Sequence, residues 1–234
     1  MATAPELLDA VPDVVIRPMA ESDVSDVAIP LRRAAEIQVG AAPVLAARIS
    51  YAGELGWELY VAPRSAVGVW DQLVEAGVGE GLEPFGYRAL DALRLEKGYR
   101  YFGTDLTMLE TPDEAGLGSF VRIDKGPFLG REALRARRAG APSGPDRRLA
   151  TVLVGGAEYE PLYGGEAVRL AGAVVGRLRS SGYGPTVSAT IGTVYLPAEL
   201  PAGTPLEVDI FGRRVPAVIA ADVLVDPTGL RMRG

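Results

Sequence analysis

Carboxylates, tyrosines and lysines are the side chains of this 234-residue sequence that could transfer a proton, because it contains no histidine and no cysteine. These two absences exclude thiolate nucleophiles, disulfides, Ser-His-Asp triads and zinc sites of the usual Cys/His kind. A carboxylate, Tyr or Lys would need a shifted pKa to act near pH 7, unless the ligand itself took the proton. The composition therefore favours binding and orientation of a ligand over acid–base chemistry, and it implies no metal.

The first half of the sequence contains both strand and helix patterns. Residues 43–50 and 57–62 are β-favouring runs joined by a segment with two glycines, which predicts an antiparallel hairpin. Apolar spacing, strong helix formers and glycine stops then predict three helices, at residues 65–77, 86–98 and 131–138.

The second half has a different pattern. Residues 139–146 (AGAPSGPD) contain two prolines and two glycines, a linker composition that predicts a domain boundary. Short β-favouring runs separated by Gly, Pro and Asp follow, as in a small antiparallel barrel or sandwich. These runs are residues 149–154, 166–170, 174–180, 191–196, 206–211 and 215–221. We therefore predict an α+β fold, with a sheet-and-helix domain in residues 1–143 and a β-barrel domain in residues 147–234.

Three segments, in order along the chain, resemble signatures of the glycine-cleavage T-protein family of folate-binding aminomethyltransferases. They are residues 50–60 (SYAGELGWELY), residues 86–107 together with TPDEAGLG at 111–118, and residues 180–197 (SSGYGPTVSATIGTVYLP). The segment RLEKGYRY is most similar to the family branch that is fused to sarcosine and dimethylglycine dehydrogenases. The resemblance covers roughly residues 43–234 and implies a truncated folate-binding domain followed by a C-terminal barrel.

The resemblance implies a tetrahydrofolate site and assigns residues to it. Glu58 matches the family carboxylate that grips the pterin, and a carboxylate can accept two parallel hydrogen bonds from such a ring. Tyr51 matches a position that contacts the folate, and Tyr99, in the aromatic run 99–102, would border the same cleft. Taken alone, a Glu in an alternating strand usually points to solvent, and a hairpin Tyr usually packs.

Two positions in the second predicted helix and its following turn depart from the glycine-cleavage branch. Leu90 stands where that branch has an Arg, and Arg88 is the candidate substitute. Thr104 replaces a His that is usual there.

Several residues in these motifs also have a plain structural interpretation. Asp91 and Arg94 are three apart on a predicted helix, which favours a surface ion pair worth a few tenths of a kcal/mol. The run 99–103 is expected to be core and turn, and the basic run 131–138 a solvated helix face.

The family has a sizeable portion upstream of the hairpin that bears an Asp thought to organise the one-carbon group, and we expect it to be missing here. Asp23 and Asp26 lie in that direction but match no motif. A homodimer or a partner subunit supplying the upstream half is therefore expected.

Three functional classes stay open. The chain could bind folate and transfer one-carbon groups, with a small amine or methyl donor, either as one part of a split enzyme or with a closed-up pocket. It could instead be a scaffold repurposed as a folate-independent tailoring enzyme of secondary metabolism, or a non-catalytic subunit of a flavin amine oxidase complex.

The charge and hydropathy of the sequence argue against nucleic-acid and membrane partners. The net charge of −6 would repel a phosphate backbone, so no nucleic acid is expected. No apolar stretch approaches the roughly 20 residues that span a bilayer, and the acidic N-terminus is unlike a secretory signal. The sequence thus predicts a cytoplasmic protein without a membrane segment.

Overall fold

The computed structural model describes residues 29–156 and 158–233, and these ranges contain three α-helices and nine β-strands. The described residues form two compact units: residues 29–91 with 228–233, and Ala92–Pro227. Asp23 and Asp26 lie outside the described residues. No helix in the described part of the chain combines the length and apolar character needed to cross a membrane.

The first unit contains an antiparallel sheet in the strand order β1-β2-β3. The predicted hairpin is confirmed, since β2 pairs with β3. Strand β1 was not foreseen, because it lies in residues 1–42, a stretch that mixes acids and prolines. A proline opens the following helix α1, where its missing N–H costs nothing. The bounds are β1 (Ala34–Val39), β2 (Ala42–Ala47), β3 (Glu58–Val61) and α1 (Pro63–Gly77).

The second helix, α2 (Tyr87–Glu96), runs where it was predicted. Gly98 follows it with a φ of 69°, a left-handed conformation that ends a helix and that glycine adopts without strain. The boundary between the two compact units falls inside this helix, after Asp91.

Among the described residues of the second unit, six strands close into an antiparallel barrel in the order β4-β7-β6-β5-β8-β9. All six runs predicted from the sequence are strands of this barrel, which confirms the α+β class with a C-terminal barrel. Val152, Val168, Ile191, Val194 and Val208 are 0% exposed. The strands are β4 (Arg147–Val154), β5 (Ala167–Leu170), β6 (Ala173–Gly184), β7 (Ala189–Pro197), β8 (Pro205–Ile210) and β9 (Arg213–Ile219).

The segment between α2 and the barrel is mostly loop, with one α-helix, α3 (Arg131–Gly140), and one short 3₁₀-helix (Gly118–Phe120). The expectation that the aromatics of run 99–103 pack in the core is wrong for Tyr101 and Phe102, which are 40% and 63% exposed. The turn is present, and it closes with hydrogen bonds from the amides of Thr104 and Asp105 to the carbonyl of Tyr101.

The barrel strands begin at Arg147, directly after the predicted linker. The division into compact units lies elsewhere, after Asp91, so residues 92–146 fall in the same unit as the barrel. In that unit Glu110 bonds to Arg179 of β6 and Glu114 bonds to Arg147 of β4. The domain boundary at residues 143–147 stays a prediction.

Candidate functional site

Glu58 is the first residue of β3 and lies on the more open face of the three-stranded sheet. It pairs with Ala47, and Tyr60 pairs with Leu45, so these four side chains share one face. Leu45 and Tyr60 are 43% and 48% exposed, whereas Val44, on the opposite face, is 1% exposed. Glu58 itself is half-buried. The carboxylate is thus neither in bulk solvent nor enclosed by the described part of its own unit.

The carboxylate of Glu58 is held by its neighbour two residues along the strand. The hydroxyl of Tyr60 donates a hydrogen bond of 2.7 Å to Oε2 of Glu58. Within the described ranges, Oε1 accepts no hydrogen bond. One oxygen is therefore oriented by the protein while the other can accept a donor from a ligand.

Tyr51 lies in the loop that joins β2 to β3, at the same end of the hairpin as Glu58, and is half-exposed. The loop is tied to itself by the Glu54 amide, which donates to Oγ of Ser50 at 3.2 Å. It is also tied to the C-terminal residues of the same unit, because Arg231 forms an ion pair of 2.8 Å with Glu54. The sequence motif did not reveal this link, since its two partners are 177 residues apart.

The other two predicted site residues lie along α2 and just after it. Arg88 is exposed in the first turn of α2, within the first unit. Tyr99 is half-exposed in the second unit, where its carbonyl accepts a hydrogen bond of 3.0 Å from Nη1 of Arg94. A cleft shared by Tyr51, Glu58 and Tyr99 stays a prediction.

Arg94 is buried, so its interpretation as a surface charge is wrong: it is 2% exposed. Its guanidinium donates to the carboxylate of Asp105, which is 0% exposed, and to Oγ of Ser180 at 2.9 Å. The same carboxylate accepts the hydroxyl of Thr193 at 2.5 Å and the amide of Tyr101 at 2.8 Å. Arg94 thereby joins the end of α2, the turn after it and two barrel strands in one buried network.

The next charged residues of the RLEK motif are buried too. Oε1 of Glu96 accepts the amides of Thr186 at 2.7 Å and Val187 at 3.2 Å, which fixes the turn between β6 and β7. Nζ of Lys97 donates to the carboxylate of Asp226 at 2.8 Å. The RLEK motif, one part of the family resemblance, therefore links the end of α2 to β6, to the turn between β6 and β7, and to the segment after β9.

Two buried carboxylates in the segment TMLETPDE form a second polar cluster. Oε2 of Glu110 accepts the amide and hydroxyl of Thr107, at 2.9 and 2.7 Å. Glu114 repeats this arrangement with Thr111, four residues further on, at 2.7 and 2.8 Å. Burial raises the pKa of each carboxyl, but the hydrogen bonds and nearby arginines outweigh it, so both pKa values lie below the ordinary range.

The barrel supplies a basic partner to each of these carboxylates. Arg179 of β6 pairs with Glu110 at 2.7 Å, and Arg147 of β4 pairs with Glu114 at 3.0 Å. The ring of Tyr195 contacts both guanidiniums, 5.0 Å from that of Arg147 and 5.5 Å from that of Arg179. Burial raises the pKa of Tyr195 to about 12. This cluster was not predicted from the sequence, where the repeated Thr-x-x-Glu spacing was the available signal.

Among the described residues, no group of three or more Asp, Glu, His or Cys side chains is arranged to hold a metal ion.

Comparison with protein families identifies the chain. The family model of the GCVT N-terminal domain matches residues 12–125, and that of the glycine cleavage T-protein C-terminal barrel domain matches residues 147–226. The chain belongs to the glycine cleavage T-protein family. This confirms the resemblance inferred from the motifs. The motif resemblance began at residue 43, whereas the family model of the N-terminal domain already matches from residue 12.

Known relatives of this T-protein family member include both dehydrogenases and aminomethyltransferases. It is 35% identical to mitochondrial dimethylglycine dehydrogenase of Homo sapiens over 94% of its length but only 25% of the relative's. It is 39% identical to the aminomethyltransferase of Streptomyces coelicolor over 78% of its length and 50% of the relative's. The chain thus spans about a quarter of such dehydrogenases and half of such aminomethyltransferases.

A solved structure supports the fold. The glycine cleavage system aminomethyltransferase T from Bartonella henselae superposes with a TM-score of 0.75 at 24% identity, covering 87% of this chain and 56% of that one. At this identity the likeness shows the T-protein fold.

Proposed function

We propose that this T-protein family member binds tetrahydrofolate through Glu58 and takes part in one-carbon transfer as one part of a larger enzyme. The observation that carries the proposal is the half-buried Glu58 carboxylate, with Oε2 held by Tyr60 and Oε1 open among the described residues. Membership of the family supports it.

The residues present fit a folate ring. A carboxylate that is already oriented loses less conformational freedom when it accepts two hydrogen bonds from a pterin. Leu45 and Tyr60 give the same sheet face an apolar surface on which a flat ring can lie. Tyr51 at the same loop end is the proposed second contact, and Arg88 and Tyr99 are further proposed contacts.

The folate would supply the reactive nitrogens that carry the one-carbon group. The protein's contribution is then to bind and orient the ring. This division suits a chain without histidine or cysteine, because no proton transfer by a side chain of ordinary neutral pKa is available.

The test is a titration of the chain with tetrahydrofolate, in which binding is measured by calorimetry and by the fluorescence of the two tryptophans. Glu58→Gln removes the charge-assisted part of the fork, which we expect to weaken binding by roughly 10- to 150-fold, the equivalent of about 1.5–3 kcal/mol. Glu75→Gln is the matched control, because Glu75 is an exposed carboxylate on α1. Absence of folate binding, or equal losses in both variants, would remove the proposal.

A second candidate is a folate-binding or non-catalytic subunit that completes an amine dehydrogenase. It is favoured by the match to dimethylglycine dehydrogenase, in which this chain corresponds to about a quarter of the length. Gel filtration with a flavin amine dehydrogenase chain should then give a complex, and a homodimer is the competing assembly. If the chain eluted as a monomer both by itself and after mixing with the dehydrogenase chain, this candidate would be rejected.

A further inference from the structure

Helix α1 carries an exposed apolar stripe in addition to its buried side. Val67, Trp70 and Val74 are spaced as neighbours on one helix face, and Val78, in the 3₁₀ turn that follows α1, continues their line. Val67 and Val78 are 72% and 73% exposed, and Trp70 is 40% exposed. The buried side is a different one, since Val69 is 3% exposed. An amphipathic helix needs only one apolar face, so this stripe is available for contact with another surface.

Negative charge surrounds this stripe. Residues 63–86 contain four exposed acids, and Arg64 is the only basic residue among them. The acids are Asp71, Glu75, Glu80 and Glu83. We call the stripe together with these acids the α1 surface. It combines apolar contact area with a net negative charge.

A second exposed surface lies along α3, in the other unit. Residues 118–123 run beside this helix, because Arg131 and Arg138 donate to the carbonyls of Ile123 and Gly118, at 2.7 and 3.4 Å. The helix and this segment therefore form one continuous surface, which we call the α3 surface.

The α3 surface is net positive. Residues 118–140 contain six basic residues and two acids. The two carboxylates just upstream are offset separately, Asp113 by Arg138 at 2.7 Å and Glu114 by Arg147 of β4 at 3.0 Å. With Arg138 set against Asp113, five basic residues face two acids, so positive charge remains after the internal pairs.

The α3 surface also exposes large apolar side chains. Phe120 is 74% exposed, and Leu129, directly before α3, is fully exposed. Exposed apolar groups with charged residues around them are typical of protein interfaces. The two surfaces are thus alike in apolar character and opposite in charge.

This charge complementarity identifies the occupant of the α1 surface. Residues 1–28 of the same chain contain six acids and one arginine, so like charges would oppose their docking there. The α3 surface has the opposite sign, and its Phe120 and Leu129 can pack on the apolar stripe. Since both surfaces are exposed in the described chain, the partner is the α3 surface of a second copy.

We propose that the α1 surface of one copy of this chain docks on the α3 surface of another. The contact joins two different surfaces, so it is heterologous. The apolar residues supply the affinity, and the opposite charges select this pairing over others. The contact uses none of the residues proposed to bind folate.

The first test is sedimentation equilibrium of the full chain over about a hundredfold range of concentration. We expect the average mass to rise above the 24.6 kDa of one chain as concentration increases. Added salt should lower the mass, because it screens the charges at the interface. A chain that stays at 24.6 kDa throughout overturns the proposal.

Reversing the charge of the α1 surface should prevent this association. The double variant Asp71→Arg with Glu75→Arg turns attraction to the α3 surface into repulsion, so self-association should weaken by at least about tenfold. The matched control is Glu158→Arg with Glu199→Arg, which changes the net charge equally at exposed positions outside both surfaces. The control should associate as the unmodified chain does, and equal losses in the two variants overturn the proposal. A thermal melt checks that both are folded.

Reversing the charge of the α3 surface allows a complementation experiment. Arg122→Glu with Arg135→Glu should also give a monomer, since both arginines are exposed on the α3 surface. A mixture of this variant with the α1-reversed variant should associate again, because each still carries one unmodified surface for the other. If the mixture stays monomeric, the contact is not between these two surfaces.

Cross-linking identifies which segment occupies the stripe. Val67→Cys introduces the only thiol of the chain, to which a benzophenone maleimide can be attached. In a mixture with an isotope-labelled copy, we expect irradiation to join position 67 to residues 118–140 of the other copy. Cross-links to residues 1–28 instead would show that the chain covers its own stripe, and they overturn the proposal.

Discussion

The guanidinium of Arg94 donates to the carboxylate of Asp105, eleven residues further along the chain, and the two side chains are 2% and 0% exposed. Asp105 accepts two further hydrogen bonds, from the hydroxyl of Thr193 and from the amide of Tyr101, so both of its carboxylate oxygens have hydrogen-bond donors. A buried pair of this kind is stable only while both partners are present.

Asp105→Asn should therefore destabilise the protein strongly. It leaves the buried Arg94 cation without its counter-ion, which typically costs about 3–5 kcal/mol. Urea unfolding measures the loss. Asp209→Asn is the matched control, because the Arg169–Asp209 pair, at 2.8 Å, has side chains that are 25% and 32% exposed. That change should cost less than about 1 kcal/mol. A loss in Asp105→Asn no larger than in the control would contradict the buried-pair assignment.

Acid should weaken the contact of the TMLETPDE segment with the barrel. The pKa values of Glu110 and Glu114 lie below their ordinary 4.5 in the folded chain. Their ionised forms thus stabilise the fold above pH 4.5, and this stabilisation disappears as pH falls through the lower, folded values. Unfolding free energies measured between pH 7 and pH 3 should decline in that acidic window.

Thr107→Val supplies the comparison for the acid experiment. It removes a hydroxyl that donates to Glu110, so the folded pKa of Glu110 should rise and the pH dependence should become shallower. If the unfolding free energy of the variant depended on pH as steeply as that of the original protein, the Thr107 hydroxyl would not stabilise the ionised Glu110.

The sequence was sufficient to predict the helices and the barrel strands, because periodicity and glycine stops are local signals. Arg94 shows where such signals end. Its spacing from Asp91 suggested a solvated helix pair, yet its partner Ser180 lies 86 residues away, and no local pattern encodes that distance. The predicted burial of Phe102 was wrong for a related reason: whether an aromatic side chain is buried depends on which residues pack over it, and these are not encoded locally.

In the site, Glu58 and Tyr51 could be located on the hairpin from the turn chemistry of the intervening glycines. The Tyr60 contact to Glu58 is readable from the strand period, since residues two apart share a face. Tyr195 was not foreseen, because its neighbours come from β4, β6 and a loop.

Tyr195→Phe should stabilise the protein by about 1 kcal/mol. The substitution removes a buried hydroxyl that lacks a partner among the described residues, and it keeps the contacts of the ring with the two arginines. Thermal and urea unfolding give the change. Tyr163→Phe is the control, because Tyr163 is 80% exposed and should be neutral. A clear destabilisation by Tyr195→Phe would show that the hydroxyl has a partner after all.

Glu96→Ala should loosen the turn between β6 and β7. The Thr186 and Val187 amides lose their shared acceptor, so their hydrogen exchange should accelerate on the order of tenfold or more. Glu199→Ala removes an exposed carboxylate of the same unit and should leave both rates unchanged. Equal rates in the two variants would rule out the clamp.

The paired Thr-x-x-Glu turns have a practical consequence. Met108 lies between the anchored residues Thr107 and Glu110 and is 90% exposed, so its side chain is presented outward by a rigid frame. Because the sequence has no native thiol, a cysteine at position 108 would be the only one, and a spin label or dye attached there would report distances without removing any buried contact. Adding or deleting one residue in this stretch, by contrast, would put each carboxylate out of step with its arginine.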